Sequence, residues 1–217
     1  MEMTATQGFF TCREEELEHI RSVDPLLSRV IDEVGPLRMP LDPDMFTAIV
    51  RNIVGQQISI PVYERIWADF QRLFGTSLDP ERVIAAGPER LRELGLTVRK
   101  TQYVTDIASM FADGRLVDSE ISAMDDGEVM RVLDAVRGIG PWTVEMVLLF
   151  YLDRRDVFSF GDLALIRGMK RLYGLDELPR ELFEEYRRRF SPCGSVAMLY
   201  LWEVGEGRVD LGRILHR

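Results

Sequence analysis

Arg137-Gly138-Ile139-Gly140-Pro141-Trp142-Thr143 is the stretch whose reading decides the fold. Amphipathic runs flank it, with Met130, Val132, Leu133 and Val136 before and Val144, Val147, Leu148 and Tyr151 after. Apolar residues three and four apart on both sides predict two helices sharing an apolar seam, and Gly138 and Gly140 permit a tight turn between them. Such a turn shows backbone N–H groups at a helix start, where partial positive charge and unpaired donors suit a phosphate oxygen. An isolated acid follows at Asp162, in Phe158-Ser159-Phe160-Gly161-Asp162-Leu163-Ala164-Leu165. Placed beyond the second hairpin helix, its carboxylate is held at a fixed reach from whatever the hairpin grips, as chemistry on a bound nucleotide requires.

Outward from the hairpin the same periodicity recurs almost throughout, while alternating β-branched runs are nearly absent, so an all-α fold is expected. Helices are predicted at about residues 13–34 with a break near Pro25, then 43–56, 60–74, 80–86, 88–94, 98–112, 119–123, 127–137, 142–152, 162–173, 179–190 and 193–205. Asp42-Pro43, Asp79-Pro80, Gly87-Pro88 and Gly140-Pro141 each put a proline at a first helical turn, where its missing N–H does no harm. There is no repeat of solenoid length and no low-complexity tract.

Composition narrows the function. A chain of 217 residues, 46% hydrophobic and 29% charged, can bury a core as one domain or two packed lobes. Its longest apolar run, Val144 to Leu152, is interrupted by Glu145 and is too short to span a bilayer, and the start from Met1 to Thr11 lacks a positive region. A cytoplasmic protein that engages no membrane is expected, nucleoid-associated in a prokaryote. Cys12 and Cys193 are too few for a zinc or iron–sulfur cluster and are expected as reduced thiols, and His19 and His216 alone make a histidine-based metal centre unexpected. A net charge of −9 opposes generic DNA binding, which draws on phosphate neutralisation. The acids gather elsewhere, at residues 14–18 and 181–185, whereas Arg131, Arg137, Arg154, Arg155, Arg167, Lys170 and Arg171 surround the motif.

Three further stretches accompany the hairpin and the acid in order: Ile53-Val54-Gly55-Gln56-Gln57-Ile58-Ser59, Leu96-Thr97-Val98-Arg99-Lys100-Thr101-Gln102-Tyr103-Val104, and Asp156-Val157-Phe158 leading to Gly161-Asp162. Together, over about residues 43–205, the chain resembles the helix-hairpin-helix DNA base-excision glycosylase superfamily, and within it the 3-methyladenine DNA glycosylase II group. The resemblance implies two helical lobes, residues 43–150 ending in the hairpin and residues 1–42 plus 151–217 carrying the acid, without the β-rich N-terminal domain of some relatives. It implies a monomeric enzyme of base excision repair, acting on double-stranded DNA with damaged bases. Alkylated purines such as 3-methyladenine and 7-methylguanine would be flipped out and hydrolysed from the sugar to leave an abasic site.

By the same resemblance Asp162 is the catalytic acid; an aspartate there is also suited to cap the helix that starts at Leu163. Where lyase relatives carry a lysine in the hairpin this chain has Trp142, so hydrolysis without strand scission is implied. Trp142, Met146 and Trp202 would line the base pocket, an indole face favouring a cationic alkylated ring. Gln56 and Gln57 form the turn that fills the gap left by the extruded nucleotide, with Gln57 as the plug. Lys100 is expected to meet a phosphate or a nearby acid, and Thr143 to place its hydroxyl near the phosphate held by Gly138 and Gly140. Arg137 replaces a proline common at this position and would add a charge contact. No cofactor is required and no iron–sulfur cluster is implied, although a structural monovalent cation on the carbonyls of Asp134, Val136 and Ile139 is. Two alternatives stay open: a glycosylase for another lesion (hypoxanthine, ethenoadenine or an oxidised guanine), or a non-catalytic hairpin module that binds DNA.

Overall fold

The computed structural model describes residues 8–215. The Met1 to Thr11 stretch, expected not to be a secretion signal, therefore lies partly outside the described residues, and His216 lies outside them. The described residues form two compact units, one of residues 8 and 41–152, the other of residues 9–40 and 153–215.

Along the chain the elements are β1 (Phe9–Thr11), α1 (Glu14–Val23), α2 (Pro25–Val34), β2 (Arg38–Pro40), α3 (Met45–Gly55), α4 (Ile60–Phe74) and α5 (Pro80–Glu93). They continue as α6 (Val98–Ala112), α7 (Asp118–Ser122), α8 (Asp126–Asp134), α9 (Pro141–Phe150), α10 (Leu163–Tyr173), α11 (Arg180–Phe190), α12 (Gly194–Gly205) and α13 (Leu211–Leu215). The all-α expectation holds, and the proline and aspartate punctuation explains why. Asp44, Asp79 and Thr97 accept N–H groups of the first turns of α3, α5 and α6, and Asp125 with Glu128 forms a capping box on α8. Gly87, at φ 75°, kinks α5 into the two runs expected there.

In the first unit, α3 is buried on nearly every side and packs against α9, which is equally apolar, so these two helices form the centre. Helix α6 lies on α3 and α5, and α8 lies on α9. Helix α8 ends three residues earlier than the periodicity suggests. There the N–H of Val136 turns to Leu133 O and that of Ile139 to Val136 O, both at 3.0 Å, and the tighter i→i+3 pattern turns the chain into the hairpin.

In the second unit, β1 pairs antiparallel with β2, Phe10 opposite Met39. This ladder was not expected, because three-residue strands carry no alternating run to read. Helix α13 also went unforeseen. The decisive packing is between α10 and α12. A Cβ on Gly168 would stand 2.0 Å from Leu201 O and one on Gly205 2.1 Å from Ala164 O, so the two backbones meet in direct contact. Among the described residues no helix is long and apolar enough to cross a membrane.

Candidate nucleic-acid interface and acid site

Each hairpin glycine has its own physical reason. Gly138 has φ 96°, and a Cβ there would lie 2.3 Å from Cγ of Tyr103, so both the backbone and the facing ring exclude a side chain. Gly140 has φ −116° and ψ 173°, extended backbone open to any residue, with nothing within 4 Å of where its Cβ would lie. It occupies the N-cap of α9, which has no side-chain cap, and Pro141 follows at the first helical position. The fold therefore needs glycine at 138 and not at 140.

The turn after α3 is fastened to this hairpin. Lys100, on the first turn of α6, donates from Nζ to Val54 O at 2.8 Å and Gln56 O at 2.6 Å, an ammonium at the carbonyl end of a helix. Burial pushes its pKa below the ordinary lysine value. Within the protein Lys100 thus meets two carbonyls and holds the turn. Gln56 Nε2 donates to Thr143 Oγ1 at 3.0 Å and Gly138 O at 3.4 Å. Thr143 is 1% exposed, so its hydroxyl is turned inward to Gln56 rather than displayed for a phosphate. Gln57 is exposed and held at φ 55°, a left-handed conformation that costs ~1–2 kcal/mol in a non-glycine residue. Beside the turn opens a cavity of about 410 Å³, lined among others by Gln56, Gln57, Arg99, Lys100, Tyr103, Gly138 and Gly140. The sequence reading missed Arg99 and Tyr103 as members of this group. Their only local signal is the i,i+4 spacing that lets Arg99 Nε donate to Tyr103 Oη.

The acid belongs to the second unit. Asp162 is 6% exposed and caps α10, its Oδ1 accepting the N–H of Leu165 at 2.7 Å and the indole Nε1–H of Trp202 at 2.9 Å. Capping is therefore one role of this residue, and the indole contact goes beyond what a cap requires. Leu163, next in the chain, is 74% exposed, which puts the acid just beneath the surface of its unit. The approach to it is anchored by rings: Phe158 and Phe160 each lie 5.0 Å from Phe183. Trp202 rides on α12, so the glycine contact between α10 and α12 sets how closely the indole meets the carboxylate.

The remaining expected residues have these places. Trp142 is half-buried on the first turn of α9 and Met146, one turn on, is only 2% exposed. At least three of the six arginines read as a basic surround have partners within the protein. Arg155 grips Glu16 through two contacts of 2.6 Å, Arg167 pairs with Glu206 at 2.6 Å, and Arg171 donates to Val204 O at 2.7 Å. The carbonyls of Asp134, Val136 and Ile139 stand at the hairpin turn, that of Val136 already taking the Ile139 N–H. A carbonyl has a second lone pair, and such neutral hard oxygens fit a monovalent cation rather than a transition metal.

Comparison with known proteins agrees with this arrangement. Residues 50–192 match the family model described as HhH-GPD superfamily base excision DNA repair protein. A DNA-3-methyladenine glycosylase of Bacillus subtilis (strain 168) is 30% identical over 193 residues, covering 83% of this chain and 64% of that protein, so the chain spans less than two thirds of that relative's length. The crystal structure of a DNA-3-methyladenine glycosidase from Bacillus halodurans superimposes with a TM-score of 0.79 at 32% identity, covering 97% of this chain and 100% of that one. The Schizosaccharomyces pombe 3-methyladenine DNA glycosylase in complex with abasic DNA superimposes with a TM-score of 0.80 at 26% identity, covering 87% and 95%. With well over half of its length matched by the family model, the chain belongs to the HhH-GPD superfamily of base excision DNA repair proteins.

Proposed function

We propose that this protein is a monofunctional DNA glycosylase that hydrolyses the N-glycosidic bond of alkylated purines, 3-methyladenine and 7-methylguanine, in duplex DNA. The observation that carries the reading is Asp162, a buried carboxylate fixed by a backbone N–H and an indole N–H and sited next to an exposed leucine. Cleaving the bond builds positive charge on the sugar, and a carboxylate already locked in orientation stabilises that charge without reorganising and can align the attacking water. The unit with the hairpin is the grip and the unit with Asp162 performs the chemistry.

Gly140 supports the DNA reading. Glycine at an uncapped helix start, with neither a φ requirement nor an internal neighbour to accommodate, leaves room for a partner from outside, and a phosphate oxygen is the partner that a helix N-terminus favours. Carbonyls of Asp134, Val136 and Ile139 would hold a monovalent cation, which when bound supplies positive charge beside the phosphate. Gln57, exposed at the end of an anchored turn, fills the stack after the nucleotide is extruded. Trp142 offers an indole face to a cationic base, an attraction of ~0.5–2 kcal/mol. Strand scission is not part of the reaction: of the two lysines in the chain, Lys100 is committed to the carbonyls of Val54 and Gln56, and Lys170 lies within α10.

The test is release of free base from methylated duplex DNA, with borohydride trapping in parallel. Free 3-methyladenine with no trapped covalent adduct is the expected result. Absence of release from alkylated DNA would overturn the substrate assignment, and a trapped adduct would overturn simple hydrolysis.

A further inference from the structure

The cavity beside the hairpin has an unusual electrical character for this chain. Acids outnumber Lys and Arg by 36 to 27 over the whole sequence, yet the residues lining the cavity include Arg99 and Lys100 and neither Asp nor Glu. Lys100 is spent on the turn. Arg99 is exposed, its guanidinium carbon 5.5 Å from the centre of the Tyr103 ring, with Nε donating to the phenolic oxygen. Arg137, exposed and immediately before Gly138, brings its guanidinium carbon to 5.7 Å from the same ring. Among the described residues neither arginine pairs with a carboxylate. Arg137 also borders a smaller cavity with Asp106 and Arg115, where Arg115 is held by Asp113 at 2.8 Å.

Tyr103 is 7% exposed and its ring is pressed on the hairpin at Gly138, so it is a rigid post. Two flexible cations drawn to one immobile ring lose part of their rotamer freedom before any ligand arrives, and less remains to be lost on binding. Guanidinium groups present planar donor forks that match phosphate oxygens.

We propose that Arg99 and Arg137, held against Tyr103, form a phosphate clamp that adds two ionic contacts to the sugar–phosphate backbone beyond those offered by the hairpin amides. The proposal rests on the DNA-binding reading above and names the side chains through which an acidic protein obtains its ionic attraction to DNA. It explains an arginine at 137, where a guanidinium has both the ring to lean on and the cavity to face.

The experiment is fluorescence anisotropy with a labelled duplex bearing a tetrahydrofuran abasic analogue, titrated with the full-length protein over a range of salt concentrations. Wild type, Arg99→Gln, Arg137→Gln, the double variant and Arg72→Gln, an exposed arginine on α4 away from the cavity, are compared, with circular dichroism to verify folding. Each clamp variant is expected to flatten the dependence of log K on log salt by about 0.9, the double variant by roughly twice that, and Arg72→Gln not at all. A double variant with the wild-type slope overturns the clamp alone, and so does an equal loss from Arg72→Gln. A wild-type protein that does not bind the duplex overturns the DNA-binding reading and the clamp with it.

Discussion

Trp202 Nε1 donates to Asp162 Oδ1 at 2.9 Å, the same oxygen that receives the Leu165 N–H at 2.7 Å. One carboxylate oxygen is thus tied to two elements: the helix it caps, and α12. Two donors at fixed angles prevent the carboxylate from rotating, which is the pre-organisation a developing positive charge exploits.

Trp202→Phe removes the indole donor while keeping most of the apolar bulk. A hydrogen bond to a charged group contributes ~1.5–3 kcal/mol, so base release should slow by about tenfold or more in single-turnover assays at saturating protein. A thermal melt should show a smaller effect, because the N-cap contact to Leu165 persists.

The two hairpin glycines should part company on substitution. Gly138→Ala sets a Cβ in the left-handed region and against the Tyr103 ring, and should lower Tm by several degrees, in line with ~1–3 kcal/mol for overpacking and strain. Gly140→Ala meets no atom and no φ penalty, so stability should hold or rise slightly. Affinity for abasic duplex should nonetheless fall, since the methyl group occupies the space assigned to a phosphate. Differential scanning calorimetry beside anisotropy separates the two effects.

Much of the fold was legible because its joints are chemical. Prolines at first turns and Asp or Thr at N-caps act locally, so the limits of α4 and α6 could be read directly and those of α3 and α10 nearly so. Asp162 as the N-cap of α10 was legible for the same reason. What stayed hidden depends on contacts distant in sequence. Nothing near Gly168 announces that Leu201 will press against it, nothing near Thr143 shows that its hydroxyl will serve Gln56, and the β1–β2 pair joins segments too short to display a period.

Gly168→Ala tests that hidden packing. In an exposed helix the change would stabilise by ~1 kcal/mol, but here the new methyl would sit 2.0 Å from a main-chain oxygen that cannot step aside. A clear fall in Tm is expected by circular dichroism; an unchanged or higher Tm would show that α10 and α12 are not in backbone contact.

Acid sensitivity should trace in part to Glu16. Burial alone would push its carboxyl pKa up, but the hydrogen bonds from Arg155 and the Arg13 N–H together hold it below the usual range. A depressed folded-state pKa gives stability that is complete above the unfolded value, about 4.3, and is lost as pH falls through the folded one. Between pH 7 and pH 3 the Tm of wild type should therefore drop further than that of Glu16→Gln.

The central claim is that Asp162 performs chemistry in addition to capping α10, and Asp162→Asn isolates it. Asparagine caps a helix about as well as aspartate, so the fold and the affinity for abasic duplex should persist. The decisive measurement is single-turnover release of 3-methyladenine from methylated duplex by wild type and Asp162→Asn, both at saturating protein. The account predicts a rate lowered by at least about a hundredfold, roughly 3 kcal/mol of lost transition-state stabilisation. Release at an undiminished rate by a folded, DNA-bound Asp162→Asn protein would contradict it.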